Sequence, residues 1–362
     1  MSDLNFTEIN IWLSWFEGIG SLRLLNLLDS FDNPAKIWYA NVPYLMRNGG
    51  FSEDLAKKVV SRRNIDDLRS YIKNMEQKNI SCVTIRDEKY PALLRQIDNP
   101  PVLLYVLGEI PDDGAKKVSI IGSRISTEYG RNTAYKLSYE LAQNGVTVVS
   151  GMAKGIDAVA HKGAIEGGGK TIAVLGCGLD ICYPAENLHL RNNIPSSGCV
   201  ISEYPLGSPP DKYHFPARNR IISGLSLATV VIEAGERSGT LITAGLAADQ
   251  GRDVLAVPGN ITNPKSNGTN ALLRDGAGLV LNCKDVLDAI GINSPYNVPA
   301  PPKTLTDKER AVYEIITDAP LTCDKIVLAA GLPFGEIFEI LILLETKKYI
   351  KKIPGNKYVR FI

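Results

Sequence analysis

Four cations, Arg124, Lys154, Arg218 and Arg220, sit on or beside the turns that follow short apolar runs in this 362-residue chain. Neutral donors cluster with them: Ser123, Asn219, Ser238, Thr240 and Thr243. A guanidinium offers paired hydrogen bonds to phosphate oxygens, and hydroxyls with glycine backbone N–H groups fill the gaps between. Ser238-Gly239-Thr240-Leu-Ile-Thr243 opens a predicted helix, which brings hydroxyls and free backbone N–H groups to one spot. Tyr183, Tyr204, Tyr213 and Phe215 lie in the intervening loops, where aromatic faces stack on unpaired bases. Such a set suits several phosphates in a row better than one small metabolite. A plainer reading stands beside it, in which arginines and asparagines staple long loops to a sheet, and Asn219, between two arginines, fits that role too.

Other chemistries find less support. Gly122-Ser123-Arg124 is not a Gly-x-Gly-x-x-Gly turn, and no ribose-binding acid follows at the usual distance, so no dinucleotide cofactor is expected. Ala164-Ile-Glu-Gly-Gly-Gly-Lys-Thr171 looks like a relaxed phosphate loop, but its glycines end a helix and Lys170 begins a strand. A phosphate loop needs the reverse order, so that helix amides face the ligand. Asp157 and His161 are one helical turn apart and lack partners at metal-ligand spacing, which reads as a structural Asp–His hydrogen bond with no metal. The six cysteines contain no Cys-x-x-Cys pair and read as reduced packing residues of a cytoplasmic protein. Forty Lys and Arg against 39 Asp and Glu exclude a uniformly basic coat, so a polyanion site must be a local cluster. No charged-then-apolar signal pattern opens the chain, and no apolar run approaches the ~20 residues of a membrane helix.

The elements that must position these residues follow from periodicity. Val118-Ser-Ile-Ile, Val146-Thr-Val-Val-Ser, Ile172-Ala-Val-Leu and Thr229-Val-Val-Ile-Glu are strands buried on both faces, separated by helical patterns. That alternation predicts an α/β, Rossmann-like, mostly parallel doubly wound sheet, with ligands at the carboxyl ends of its strands. Residues 1–78 read as a helical segment, with Gly18-Ile-Gly20 between two apolar helices. This turn is either a helix-hairpin-helix that holds a phosphate or a simple connection. The sheet domain covers 79–291, with 80–110 as an added edge, and a Pro-rich linker covers 292–303. Residues 304–362 resemble a winged helix, three helices and a hairpin with basic residues from Lys347 onward. A wing on duplex DNA and a protein partner both stay open, while the acidic, apolar third helix argues against major-groove reading.

An ordered set of motifs resembles one bacterial family. Gly122-Ser-Arg, Ser150-Gly-Met-Ala-Lys-Gly-Ile-Asp with His161, Thr171-Ile-Ala-Val-Leu-Gly-Cys-Gly-Leu-Asp with Tyr183-Pro and Asn187, and Ser202-Glu-Tyr-Pro come in turn. Phe215-Pro-Ala-Arg-Asn-Arg-Ile-Ile-Ser-Gly, Ser238-Gly-Thr-Leu-Ile-Thr-Ala and Ala256-Val-Pro-Gly follow. The set is similar to the DNA processing protein DprA (Smf) family, densely over 115–282. The resemblance implies a non-enzymatic single-stranded DNA binder, without cofactor, that forms a homodimer, protects incoming strands and loads RecA recombinase in natural transformation. It carries the DNA pocket onto Gly122, Ser123 and Arg124, and beyond them onto Lys154, Gly155, Asn187, Arg218, Asn219, Arg220, Ser238, Gly239, Thr240 and Thr243. The rival is an enzyme of the nucleoside-monophosphate phosphoribohydrolase type, because Glu233-Ala-Gly-Glu-Arg-Ser-Gly-Thr240 is similar in placement to that loop. Where those enzymes carry a catalytic Glu, this chain has Thr243, which is no carboxylate acid or base.

Overall fold

The computed structural model describes residues 4–31, 33, 35–292, 305–317, 320–347 and 349–360. They fall into two compact units, Met1–Asn293 and Ser294–Ile362. The Pro-rich stretch at 292–303 lies, apart from Ile292, outside the described residues.

The first unit is built on nine strands: β1 Ile80–Thr84, β2 Leu103–Gly108, β3 Lys117–Ile121, β4 Thr147–Ser150, β5 Thr171–Val174, β6 Gly198–Ser202, β7 Ala228–Val231, β8 Asp253–Ala256 and β9 Gly278–Leu279. Their order across the sheet is β1-β2-β6-β5-β4-β3-β7-β8-β9. Strands β3 to β7 are buried at every position, which is why they read as continuous apolar runs. All pairings from β6 to β9 are parallel, whereas β1 and β2 add an antiparallel edge. The chain moves outward from β3 through β4 and β5 to β6, then returns to the other side of β3 as β7. Loops leaving β3 and β7 therefore diverge to opposite faces, and a crevice opens between them.

Six helices between Phe6 and Gln77 precede the sheet, four of them capped by an Asn or Ser side chain at Asn5, Asn41, Ser52 and Asn64. They do not close a core of their own. Trp12, Leu13 and Phe16 pack in one cluster with Tyr105 of β2 and with Val102 and Leu175, which flank β2 and β5. Ser14 Oγ meets Tyr105 Oη at 2.7 Å, and Tyr71 Oη accepts the Leu206 N–H at 2.7 Å. The edge strands thus serve as the platform on which the helical segment sits.

In the second unit Thr306 and Glu309 form a capping box that opens the helix Asp307–Ile315. The helices Cys323–Ala330 and Phe334–Thr346 follow, then strands β11 Ile350–Ile353 and β12 Lys357–Arg360. A third strand that periodicity is too short to reveal, β10 Leu321–Thr322, completes the sheet beside β12. Three helices with this sheet make a winged helix. Among the described residues no single helix is long and apolar enough to cross a membrane.

The expected Asp157–His161 hydrogen bond is not formed. Thr171 Oγ1 gives its one proton to the Val148 carbonyl at 2.7 Å, so His161 Nδ1 must be the donor in its 2.7 Å contact with Thr171 Oγ1. Nε2 is left bare and buried, without a partner among the described residues. Asp157 instead turns toward Arg218. A proton on Nε2 would put charge in an apolar wall near the Arg218 cation, and burial, with that cation second, drives the imidazole down to about 3. The unfolded histidine titrates near 6.5. Between these values only the unfolded chain takes up the proton, so stability falls as pH drops from 6.5 toward 3, by at most about 1.4 kcal/mol per pH unit for this group. Urea unfolding at pH 7, 6 and 5 should show a shallower acid loss in His161→Gln than in the parent; equal slopes would mean another group is responsible.

Candidate nucleic-acid interface

The crevice between the β3 and β7 loops is an open cleft of about 1030 Å³. Its first wall leaves β3 as Gly122-Ser123-Arg124. A Cβ on Gly122 would stand 2.6 Å from Ile156 Cγ1, so only glycine lets this turn lie flat on the next helix. Gly155, at φ +76°, closes against the same turn from the other side, where any side chain would collide with the Ser123 carbonyl. Ser123 N–H donates to the Glu233 carbonyl at 2.8 Å, and its Oγ binds the Ile125 backbone. Locked this way, the turn projects Arg124 into solvent, its guanidinium carbon 5.4 Å from the Phe215 ring centroid.

Arg218 forms the floor. It lies on the helix His214–Gly224, not in a loop, and only 4% of it is exposed. Its guanidinium donates to the Gly151 carbonyl at 2.7 Å and to the Val174 carbonyl, at the ends of β4 and β5. Gly151 is needed there, since a Cβ would stand 2.8 Å from both the Arg218 amino groups and Asp157 Oδ2. Burial lowers Arg218 to about 10, which leaves it charged at neutral pH. Burial also raises the facing Asp157 carboxyl, against the pull of the Arg218 charge.

The second wall follows β7. Ser238 caps the helix Gly239–Asp249 through the Thr240 N–H at 3.2 Å, and its Oγ meets Thr240 Oγ1 at 3.0 Å. Thr243, one turn on, lines the cleft with a hydroxyl that finds no partner among the described residues. Tyr183 and Phe215 close one end, stacked with centroids 5.5 Å apart and planes 30° from parallel.

Of the anticipated residues, the cleft gathers Gly122, Ser123, Arg124, Arg218, Asn219, Ser238, Gly239, Thr240 and Thr243. Four lie outside its lining. Gly155 shapes the turn from behind. Asn187 is buried and donates from Nδ2 to the Met152 carbonyl at 2.8 Å, a loop staple. Lys154 is exposed and ion-paired to Glu186. Arg220 points the opposite way from Arg218, because two residues along a helix turn about 200°. It is locked under side chains, 2.5 Å from Glu203 Oε2, 2.8 Å from the Asn99 carbonyl and 3.3 Å from Ser21 Oγ. Tyr204 also leaves the set, stacked on His214 with centroids 3.9 Å apart.

Sequence reasoning missed three cations in the lining: Lys212, Arg237 and Lys265. Arg237 directly precedes the Ser238 cap and was legible on that ground; Lys265, which donates to the Ile125 carbonyl, comes from the distant β8 loop and was not. With Arg124 and Arg218 they set five cations against one carboxylate, Asp157. Glu233, which opens the rival reading's loop, is buried and accepts from the Thr127 N–H at 2.9 Å and from the Thr127 hydroxyl. The Gly18-Ile-Gly20 turn faces a different cleft, where Glu17, Asp67, Glu203 and Asp211 outnumber Arg62, a poor setting for phosphate. Among the described residues no group of three or more His, Cys, Asp or Glu is placed to hold a metal.

Residues 81–291 match the family described as DNA recombination-mediator protein A, and residues 297–356 match the DprA winged helix domain. The chain belongs to the DprA (Smf) family. Protein Smf of Synechocystis is 33% identical over 98% of this chain and 99% of its own, and Protein Smf of Escherichia coli is 36% identical over 94% of each. Among solved structures, DprA from Streptococcus pneumoniae aligns with a TM-score of 0.70 at 35% identity, covering 79% of this chain and 98% of that one. DprA from Helicobacter pylori, described for its single-stranded DNA binding mode, aligns with a TM-score of 0.52 at 32% identity, covering 58% of this chain and 95% of that one.

Arg220 and Arg124 should separate cleanly. Arg220→Ala leaves the half-buried Glu203 without its cation and should lower unfolding free energy by about 1–3 kcal/mol. Arg124→Ala, at an exposed position, should stay within about 0.5 kcal/mol of the parent. Urea midpoints measure both, and a parent-like midpoint for Arg220→Ala would show that the buried pair is not the staple described.

Proposed function

We propose that this protein binds single-stranded DNA in the cleft between the β3 and β7 loops, without chemistry on the strand. The observation that carries the reading is the cleft's electrostatic imbalance, five cations against one buried carboxylate, joined to an exposed aromatic face at Tyr183. Phosphates lie along Arg124, Lys212, Arg237 and Lys265, with hydroxyls of Ser238, Thr240 and Thr243 between them. Bases stack on Tyr183 and the Phe215 behind it. Neither contact reads a base edge, so sequence preference is weak. The buried Asp157, which accepts the Ala153 N–H and feels the Arg218 charge, is poorly placed as a general acid or base, which favours binding over hydrolysis.

The Helicobacter pylori relative, described for its single-stranded DNA binding mode, supports this reading, and the family match extends it. On that basis the protein works in the cytoplasm as a homodimer, shields incoming strands and loads RecA recombinase onto them during transformation or recombination.

Fluorescence anisotropy with labelled dT oligonucleotides tests the first step. Affinity should fall steeply with salt, and Arg124→Ala or Arg237→Ala should each weaken binding and flatten the log–log salt slope by about 0.7. Parent-like binding by both variants sinks the assignment of the cleft. RecA ATP hydrolysis on strands pre-coated with single-strand binding protein should rise when the protein is added; an unchanged rate would remove loading from the proposal.

A further inference from the structure

The helix Phe334–Thr346 packs Ile337, Ile340, Leu341 and Leu344 into the core of the C-terminal unit. Its outer face is not polar. Phe334, Phe338 and Ile342 are 57%, 42% and 49% exposed, and Leu343 beside them is 47% exposed. Spacing of four residues sets the first three on one stripe, about 12 Å long at 1.5 Å per residue. The two phenyl rings already stack, centroids 6.3 Å apart and planes 14° from parallel. One exposed apolar side chain needs no explanation, but a continuous stripe of large ones on a single helix marks a contact surface.

Charge narrows what covers it. The helix carries Glu336, Glu339 and Glu345 and no Lys or Arg. Glu336 is paired with Lys308, and Glu345 accepts the Lys352 backbone N–H at 3.2 Å. Glu339, next to Phe338 on the exposed face, finds no cation among the described residues. A phosphate surface, whether duplex DNA or an anionic bilayer, would meet these carboxylates first. A second copy of the chain fares no better, because a two-fold contact centred on Phe338 brings the two Glu339 carboxylates together. What fits is an apolar ridge of similar length flanked by cations. We infer that Phe334, Phe338 and Ile342 form the docking stripe for an amphipathic helix of a partner protein, whose Lys or Arg residues flank its apolar face and meet Glu339 and Glu345.

Two fluorescein-labelled probes test this on the full chain: a 14-residue Leu/Lys peptide of helical apolar spacing, and its Leu/Glu counterpart. Anisotropy should show the lysine peptide binding at least tenfold tighter than the glutamate peptide. Phe338→Ser should weaken the lysine peptide at least tenfold while melting within about two degrees of the parent, as an exposed position allows. Glu339→Lys should erase the discrimination between the peptides. Equal binding of both peptides by the parent overturns the proposal, as does parent-like lysine-peptide binding by Phe338→Ser. A large drop in melting temperature for Phe338→Ser overturns it too, since the ring would then serve the fold. If Phe338→Ser instead loses duplex-DNA affinity, or a dimer seen by sedimentation velocity, with peptide binding unmoved, the stripe belongs to DNA or to a second copy.

Discussion

The buried Arg218 guanidinium is the constraint around which the cleft is organised. Donating to the Gly151 and Val174 carbonyls, it ties the helix His214–Gly224 to the ends of β4 and β5, where each strand gives way to a loop. Those carbonyls have no ladder partner of their own at that point, so a fixed donor both satisfies them and sets where the helix enters. The helix in turn carries Phe215 and Asn219 into the lining. Keeping a cation there demands compensation, and Asp157 supplies it from the next helix. A positive floor held by the fold costs nothing to reorganise when a polyanion arrives.

The same helix separates two environments of opposite sign. On one side Arg218 underlies the cationic cleft; on the other Arg220 is consumed by Glu203, Asn99 and Ser21. The second side faces the acidic cleft beneath the helical segment. An alternation of this kind follows from helical geometry alone, because residues two apart cannot share a face. It lets one short basic run serve the cleft and the assembly at once, the first arginine lending its charge to the cleft floor and the second joining the sheet to the N-terminal helices. The C-terminal unit divides its surface in a similar way, with Lys352 and Lys357 exposed on the wing and carboxylates beside an apolar stripe on the helix before it.

Much of this molecule was legible in the chain. Continuous β-branched runs announced strands buried on both faces, and glycine-rich joins announced their carboxyl-end turns. Three helical patterns and a basic hairpin announced the winged helix, and the ordered motifs announced the family. These are properties of neighbours in sequence: local periodicity, capping and backbone freedom are decided within a few residues. Gly122, Arg124 and the Ser238 cap belong to that class, each set by its own turn.

What only the tertiary structure decided is which side chains share a volume. Arg220 and Arg218 look alike in the string, yet one is spent on a buried ion pair. Asn187 is a staple, His161 bonds Thr171 rather than Asp157, and Lys265 reaches the cleft from a loop 140 residues beyond Ile125. Strand order placed β7 beside β3 rather than beside β6, and that choice created the crevice. No local pattern encodes it, because the order of strands in a sheet is a balance of contacts summed over the whole core.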